Sequence, residues 1–306
     1  MKKLLPDKVS VFGKIRSFNI FKLFTYLFLI IISYVFIYPF LYMIITSIKS
    51  ASDLFDISVN WVPTSIAWNN YVVAFNNLNY NSHLMNSLII TVTSTFGHIL
   101  SCSFIGYGFA RYHFPLKSLW FVLVVFAIIV PPQVIILPLY LTYRSMGWLD
   151  TFAPLILPTL FGFGLRGGLF IFIYRQFYLG LPNDLENAAK IDGCGFMGAY
   201  ARIAFPVART TSLLVLVLSL VWHWNDYYEP VMYLGKAKYW PLPSMLPSIY
   251  EKYQSAAVDL MQNPETAITE GVVMAATFLV IFPVLLIYCF LQKQFIQGIE
   301  RSGLVE

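Results

Sequence analysis

Six long apolar stretches constrain the fold of this chain more than any other feature. A helix crosses a hydrocarbon core of about 30 Å with about 20 mostly apolar residues. Stretches of that length cover residues 24–46, 84–110, 118–143, 151–174, 207–233 and 271–292. Only 11% of the 306 residues are charged, whereas about a quarter are charged in a soluble domain. The sequence therefore predicts an all-α membrane protein: one domain over residues 1–306 with six transmembrane helices.

The first apolar stretch follows a basic segment, as the hydrophobic region of a signal peptide does. It runs from Phe24 to Thr46, which is too long for such a region, and it lacks a small-residue cleavage site. We expect it to be retained as a membrane helix.

The distribution of Lys and Arg predicts the orientation, because short cytoplasmic loops are enriched in these residues. With the N-terminus inside, 14 of the 20 basic residues lie on the cytoplasmic side, five lie outside, and Arg166 lies within the fourth stretch. Both termini are therefore expected in the cytoplasm. This asymmetry accounts for the net charge of +5, so the charge does not indicate a nucleic-acid partner.

The sequence lacks the usual arrangements of catalytic residues. We find no nucleotide-binding P-loop, no metal-ligand cluster and no nucleophile–base pair, and the carboxylates are scattered. None of the three cysteines (Cys102, Cys194 and Cys289) falls in a predicted external loop, so no disulfide framework is expected. We expect a protein that is not an enzyme and binds no cofactor or metal. The absence of an internal repeat argues against a secondary transporter.

Proline residues are concentrated in the third and fourth stretches. Pro131, Pro132 and Pro138 lie in the third, and Pro154 and Pro158 begin the fourth. Proline removes a backbone donor and clashes with the preceding turn, so these helices are expected to kink or break. Broken helices often line a transport path, and they also occur as plain packing features.

Arg166 is the most unusual charge in the sequence. A charge at membrane depth costs at least about 2.5–3.5 kcal/mol, so its side chain should face water or a partner. Its planar guanidinium would suit a carboxylate or sulfate on an acidic sugar. A structural ion pair, or a hydrogen bond to the carbonyls of a broken helix, would also explain it.

The outer end of the fifth stretch combines aromatic rings with hydrogen-bonding groups. Such combinations suit sugars, whose C–H faces pack on rings and whose hydroxyls need partners, although an interfacial aromatic belt would look similar. The candidate residues for a substrate path or gate are Arg166, Gln133, Trp222, Asn225, Asp226 and Tyr227. His98, in the hydroxyl-rich second stretch, is expected to hold helices together.

A connection of about 30 residues, 175–207, separates the fourth and fifth stretches on the predicted cytoplasmic side. Adjacent helices need only about 2–8 connecting residues. The connection reads as two short helices: Asn183 and Glu186 are placed to cap the first, and Gly193 to end it in a left-handed conformation. The second is predicted over residues 196–205. Its small residues would let another surface approach closely, so the segment is predicted to dock.

The same connection resembles the signature E-A-A-x-x-x-G-x(9)-I-x-L-P of ABC importer permeases. The matching positions are Asn187, Ala188, Ala189, Gly193, Ile203 and Pro206. Two positions depart from the pattern, since Asn187 replaces the Glu and Phe205 replaces the Leu. Asn187 can still form hydrogen bonds, but it cannot form a charged pair.

Flanking sequences resemble the maltose-type carbohydrate permeases of that family. They are Ile136-Leu137-Pro138, Trp148-Leu149-Asp150, Leu155-Ile156-Leu157-Pro158 and Trp224-Asn225-Asp226-Tyr227. The resemblance implies import of a sugar or oligosaccharide across a bacterial cell membrane. A secondary transporter or channel, or an ABC importer for another solute, remains an alternative.

The resemblance also implies the partners. It implies a second homologous permease subunit, two ATPase subunits that hold ATP and Mg, an extracellular solute-binding protein and the lipid bilayer. A cytoplasmic coupling loop at residues 180–206, between helices 4 and 5, would contact the ATPase. Its expected contact residues are Asp184, Glu186, Asn187, Ala188, Ala189, Asp192, Gly193, Ile203 and Pro206.

Overall fold

The computed structural model describes residues 20–191, 193–255 and 267–303, which form helices and connections without a strand. The first eight α-helices are α1 Ile20–Ser47, α2 Ala51–Phe55, α3 Asn69–Asn77, α4 Tyr80–Arg111, α5 Lys117–Ile129, α6 Pro132–Ser145, α7 Ala153–Ile156 and α8 Gly167–Leu179. The others are α9 Asn183–Ile191, α10 Phe196–Ala199, α11 Phe205–Val207, α12 Arg209–Asn225, α13 Tyr228–Tyr233, α14 Leu246–Ser255 and α15 Glu270–Gly303. Short 3₁₀ helices occupy Leu157–Phe161, Ala237–Tyr239 and Leu242–Met245, and a π-helical turn occupies Tyr200–Ala204.

Three helices in the described part of the chain are long and apolar enough to cross a membrane: α1, α4 and α15. They contain the predicted stretches 24–46, 84–110 and 271–292. Two bent pairs raise the number of candidate spans to as many as five: α5 with α6, and residues 196–207 with α12. The structure therefore supports a helical membrane protein, and the count of six spans stays a prediction.

The third predicted stretch breaks between α5 and α6, where the helix axes differ by 107°. Val130 and Pro131 are extended, and Pro132 begins α6. Because neither proline can donate a backbone hydrogen bond, α5 cannot continue through them. The break predicted from the prolines is confirmed.

The fourth predicted stretch, 151–174, is not one continuous helix. After α7 and the first 3₁₀ helix the chain folds back, and α8 begins at Gly167. Gly162 and Gly164 have φ angles of +71° and +94°, which favour glycine. A Cβ on Gly167 would lie 2.4 Å from the Gly162 carbonyl oxygen. The loop of residues 162–166 is therefore a tight turn that ends at Arg166.

Helix α4 lies at the centre of the bundle and packs against α8 and α12. Its polar side chains are hydrogen-bonded to neighbouring segments. The Ser94 hydroxyl donates to the carbonyl of Leu155 at 3.1 Å, and the Ser101 hydroxyl donates to that of Thr159 at 2.7 Å. These bonds confirm that the polar second stretch joins helices.

A broken helix also ends the fifth predicted stretch, 207–233. α12 stops at Asn225, Asp226 is extended, and α13 begins two residues later. The Asp226 carboxylate accepts a hydrogen bond from the backbone N–H of Glu229 at 3.4 Å, one of the donors that a helix start leaves unpaired. The break thus places two carboxyl groups one turn apart.

Candidate functional site

The α5–α6 break, the 162–166 loop and the α12–α13 break enclose one cavity of about 350 Å³, which we call the break cavity. Gln133, Arg166 and Asp226 line it, as do Tyr228 and Glu229. A second cavity of about 410 Å³, mostly apolar, shares Arg166 and Glu229 with the first. Volumes of this size are typical of small-molecule sites.

Arg166 immediately precedes α8, and it lines the break cavity. Its backbone is left-handed, with φ +65°, and its guanidinium lies 5.5 Å from the centroid of the Trp222 ring. That distance fits a cation–π contact. In the described part of the chain no carboxylate oxygen lies within 4.0 Å of the guanidinium nitrogens. The structural ion pair considered from the sequence is therefore not formed among these residues.

Glu229 is the functional candidate that sequence reasoning missed. It lines both cavities, whereas in the sequence it appeared only as a charge near the end of the fifth stretch. The closeness of the two carboxylates Asp226 and Glu229 in the sequence was the available signal. The break before α13 brings both residues into the lining of the cavity that Arg166 also lines.

Three predicted residues, Trp222, Asn225 and Tyr227, lie outside the lining of both cavities. Asn225 is exposed, and its side-chain amide donates to the carbonyl of Val221 at 2.9 Å. Tyr227 is also exposed, with its ring 6.2 Å from that of Tyr228. Their role in a gate stays a prediction. Trp222 is linked to the break cavity through Arg166.

A buried histidine pair holds the loop that carries Arg166. His98 of α4 has its Nε2 atom 3.2 Å from the carbonyl oxygen of Phe163. Its Nδ1 atom lies 3.2 Å from the Ser219 hydroxyl and 3.3 Å from Nε2 of His223. A neutral imidazole has one N–H, and the carbonyl can only accept, so we assign the proton to Nε2. α4 and α12 thus fix the position of the 162–166 loop.

Residues Asn183–Ile191 of the predicted coupling loop form α9, the first of the two short helices expected there. The structure adds a partner that the sequence did not predict: the Arg111 guanidinium donates to the Asn183 side-chain oxygen, and to the carbonyl of Leu181 at 2.5 Å. Gly193 follows α9 with φ +78°, which confirms the predicted left-handed residue.

The expected ATPase contacts differ in exposure. Asp184, Asn187, Gly193 and Pro206 are exposed, and Ile203 is half-buried. The backbone of α9 includes Glu186, Ala188 and Ala189. The side chains of these three residues, and the whole of Asp192, lie outside the described part of the chain.

Comparisons with known proteins cover the part of the chain that contains the break cavity and the predicted coupling loop. A family described as "Binding-protein-dependent transport system inner membrane component" matches residues 102–301. The chain belongs to this family. The match includes the break cavity and the predicted coupling loop, so both lie in the part of the chain that defines the family.

Two curated relatives cover almost the whole chain. The permease protein AraQ of an arabinooligosaccharides transport system in Bacillus subtilis is 29% identical over 290 residues, 94% of this chain and 97% of that protein. Protein LplC of Bacillus subtilis is 32% identical over 268 residues, 86% of this chain and 87% of that protein.

A solved structure shares the fold. It is a bacterial ABC transporter involved in the import of the acidic polysaccharide alginate, matched with a TM-score of 0.77 and 21% identity. The match covers 92% of this chain and 99% of the matched chain. The chain therefore shares the fold of that matched chain, and the family match identifies it as a transport permease component.

Proposed function

We propose that this chain is one of two permease subunits of an ATP-driven importer for oligosaccharides. The observation that carries the proposal is the family match, which extends over both the break cavity and the predicted coupling loop. A relative of 29% identity belongs to an arabinooligosaccharides transport system. An extracellular binding protein delivers the sugar, and two ATPase subunits on the other side hold ATP and Mg.

The break cavity supplies the chemistry for a polyhydroxylated solute. Gln133, Arg166, Asp226 and Glu229 offer donors and acceptors in the cavity lining, and the adjoining apolar cavity can accept the C–H face of a sugar ring. Arg166 also suits an acidic sugar, because a guanidinium binds a carboxylate through two parallel hydrogen bonds. We place this cavity on the transport path, in the half that this subunit contributes.

The predicted coupling loop completes the proposal. Its exposed residues Asp184 and Asn187 are placed to contact an ATPase cleft, and the orientation inferred from Lys and Arg places the loop and both termini in the cytoplasm. The sequence contains no P-loop motif. ATP binding and hydrolysis occur on the partner subunits.

The direct test is co-purification of the tagged permease with its ATPase from the native host. Deletion of residues 183–206 should remove the ATPase from the complex while the partner permease is retained. A matched control is an equal number of changes in α1, such as alanine substitution of its exposed residues, which should leave the ATPase bound. Sugar flux in proteoliposomes that contain this chain alone, without ATP, would overturn the proposal in favour of a secondary transporter or channel.

A further inference from the structure

Phe196 connects the second half of the predicted coupling loop to α4. It is the first residue of α10. Its ring centroid lies 4.5 Å from that of Tyr112 with the planes at 90°, 5.7 Å from that of Tyr107, and 5.5 Å from that of Phe104. These distances are typical of favourable aromatic pairs. Phe196 is therefore half-buried and in contact with three rings at one end of α4.

The pocket around Phe196 is itself well packed. Tyr107 is fully buried, and its ring contacts those of Tyr178 and Tyr200 at 5.3 Å each. The hydroxyl groups of Tyr178 and Ser103 lie 2.7 Å apart. Because close-packed interiors deform little and transmit strain, a displacement of Phe196 is expected to move the end of α4 rather than to be absorbed locally.

The first half of the loop is attached to the same helix. Arg111, the last residue of α4, donates to the Asn183 side chain at the start of α9 and to the Leu181 carbonyl. Both halves of the loop therefore hold one end of α4: the first through hydrogen bonds, the second through the Phe196 ring.

The middle of α4 holds the loop that carries Arg166. His98 contacts the Phe163 carbonyl, and Ser101 donates to the Thr159 carbonyl. Phe104 and His98 are six residues apart, which is about 9 Å along a helix axis. One rigid helix thus connects the predicted coupling loop to the break cavity.

We infer that Phe196 is the positioning residue through which movement of the coupling loop reaches α4 and, through α4, the Arg166 loop. The inference rests on the proposed function, because it needs an ATPase that moves the loop. Truncation of the Phe196 ring should leave the ATPase attached through the exposed residues of α9. Closure of the ATPase subunits on ATP should then no longer change access to the break cavity.

The test measures cavity access in the complete complex with its ATPase, partner permease and binding protein. A cysteine is placed at Ile129, which is 72% exposed at the cavity edge, in a Cys194→Ser, Cys289→Ser background. Cys102 is buried and stays. The rate of labelling by a charged maleimide is compared before and after trapping with Mg-ATP and vanadate. With Phe196 present, trapping should change the rate about threefold or more.

Phe196→Ala should abolish this change while ATP hydrolysis persists, and Phe196→Tyr should restore most of it. The matched control is Met197→Ala, because Met197 is the next residue and is 63% exposed; it should behave like the parent. If Phe196→Ala prevents assembly, Phe196→Leu keeps most of the volume and should give a reduced change.

The role of Phe196 and the proposed function of the chain are tested by different outcomes. If Phe196→Ala or Phe196→Leu shows the full ATP-dependent change in labelling, the role of Phe196 is wrong and the proposed function stands. If no ATPase co-purifies with the unmodified permease, the proposed function fails and the inference with it.

Discussion

Helices α1 and α4 are both long enough to span a membrane, but they differ in how much of each helix is buried within the protein. In the most apolar 18-residue window of α1 only 6% of residues are buried within the protein, against 44% in α4. The side chains of α1 point outward as apolar groups such as Phe36, whereas α4 places Ser94, His98 and Ser103 in the interior. Uniformly apolar residues therefore mark the helix that is exposed on this chain, and polar residues mark the helix that is buried at its centre.

The attachments of the two helices differ accordingly. α1 is tied mainly near its end, where the Asn70 amide donates to the carbonyls of Ser47 and Lys49 at 2.9 Å each, and the Lys49 ammonium donates to that of Val59 at 2.8 Å. α4 is bonded or packed along most of its length. The following predictions test this contrast.

The largest expected effect comes from the same truncation on each helix. Ile90 of α4 is 3% exposed and packs in the core, whereas Ile31 of α1 is 62% exposed. Ile90→Ala should lower the free energy of unfolding by about 2–5 kcal/mol, and Ile31→Ala should change it by less than about 0.5 kcal/mol. Thermal unfolding of the purified protein in one detergent measures both. Equal losses would remove the contrast.

A smaller effect is expected from adding one methyl group to α4. The Cβ of Gly106→Ala would lie 2.7 Å from the Tyr174 Cβ and 3.0 Å from the Arg175 backbone nitrogen. Overpacking of this kind costs about 1–3 kcal/mol. Gly108→Ala is the matched control, because nothing lies within 4 Å of its Cβ, and it should be neutral or slightly stabilising. A Gly106→Ala protein that unfolds at the parent temperature would show that α4 packs less closely than described.

The next prediction concerns Arg166, because α4 holds the loop that carries this residue through His98. Arg166→Ala should reduce ATP-dependent uptake by about tenfold, because the only described cation of the break cavity is lost and tenfold corresponds to about 1.4 kcal/mol. Arg166→Lys should fall between, since it keeps the charge without the planar fork. The control is Arg144→Ala, at the exposed end of α6. Unchanged uptake and substrate range, with normal assembly, would exclude Arg166 from the path.

The smallest effect concerns the segment that follows α1. The Asp53 carboxylate accepts hydrogen bonds from the Thr64 hydroxyl and from the Thr64 backbone N–H at 3.0 Å, and these bonds hold the pKa of Asp53 below its ordinary value. A lowered folded-state pKa stabilises the segment above the unfolded pKa of about 3.9, and this contribution is lost as the pH falls through the folded value.

Amide hydrogen exchange in residues 51–64 measures this contribution. Protection should be lower at pH 3 than at pH 6 in the parent, and Asp53→Asn should remove most of that difference. Asp184→Asn, in the distant α9, should behave like the parent. A difference that persists in Asp53→Asn would assign the pH dependence to another group.

The length and composition of the apolar stretches predicted the single-helix spans well, because a stretch of apolar residues must form a helix to satisfy its backbone in lipid. The prolines at 131 and 132 predicted the α5–α6 break for an equally local reason. The break at Asp226 was not predicted, since the nearest proline, Pro230, lies four residues further along and inside α13.

The candidate site was predicted in part. Gln133, Arg166 and Asp226 were named from the sequence and line one cavity, while Trp222, Asn225 and Tyr227 do not line it. Glu229 was missed because its role depends on the direction in which α13 leaves the break. Residue type indicated which charged and polar side chains cost free energy to insert into a membrane. It could not indicate which of these side chains line the same cavity.

The sequence by itself determined the class of protein, its apolar helices and, through the signature at Asn187 to Pro206, the family. These features depend on local composition and on spacing along the chain. The tertiary structure alone decided that α4 is the central helix, that its far end contacts Phe196, and that three broken helices meet at the break cavity. Such contacts join residues 60 to 130 positions apart, and their geometry follows from how helices pack and where they break.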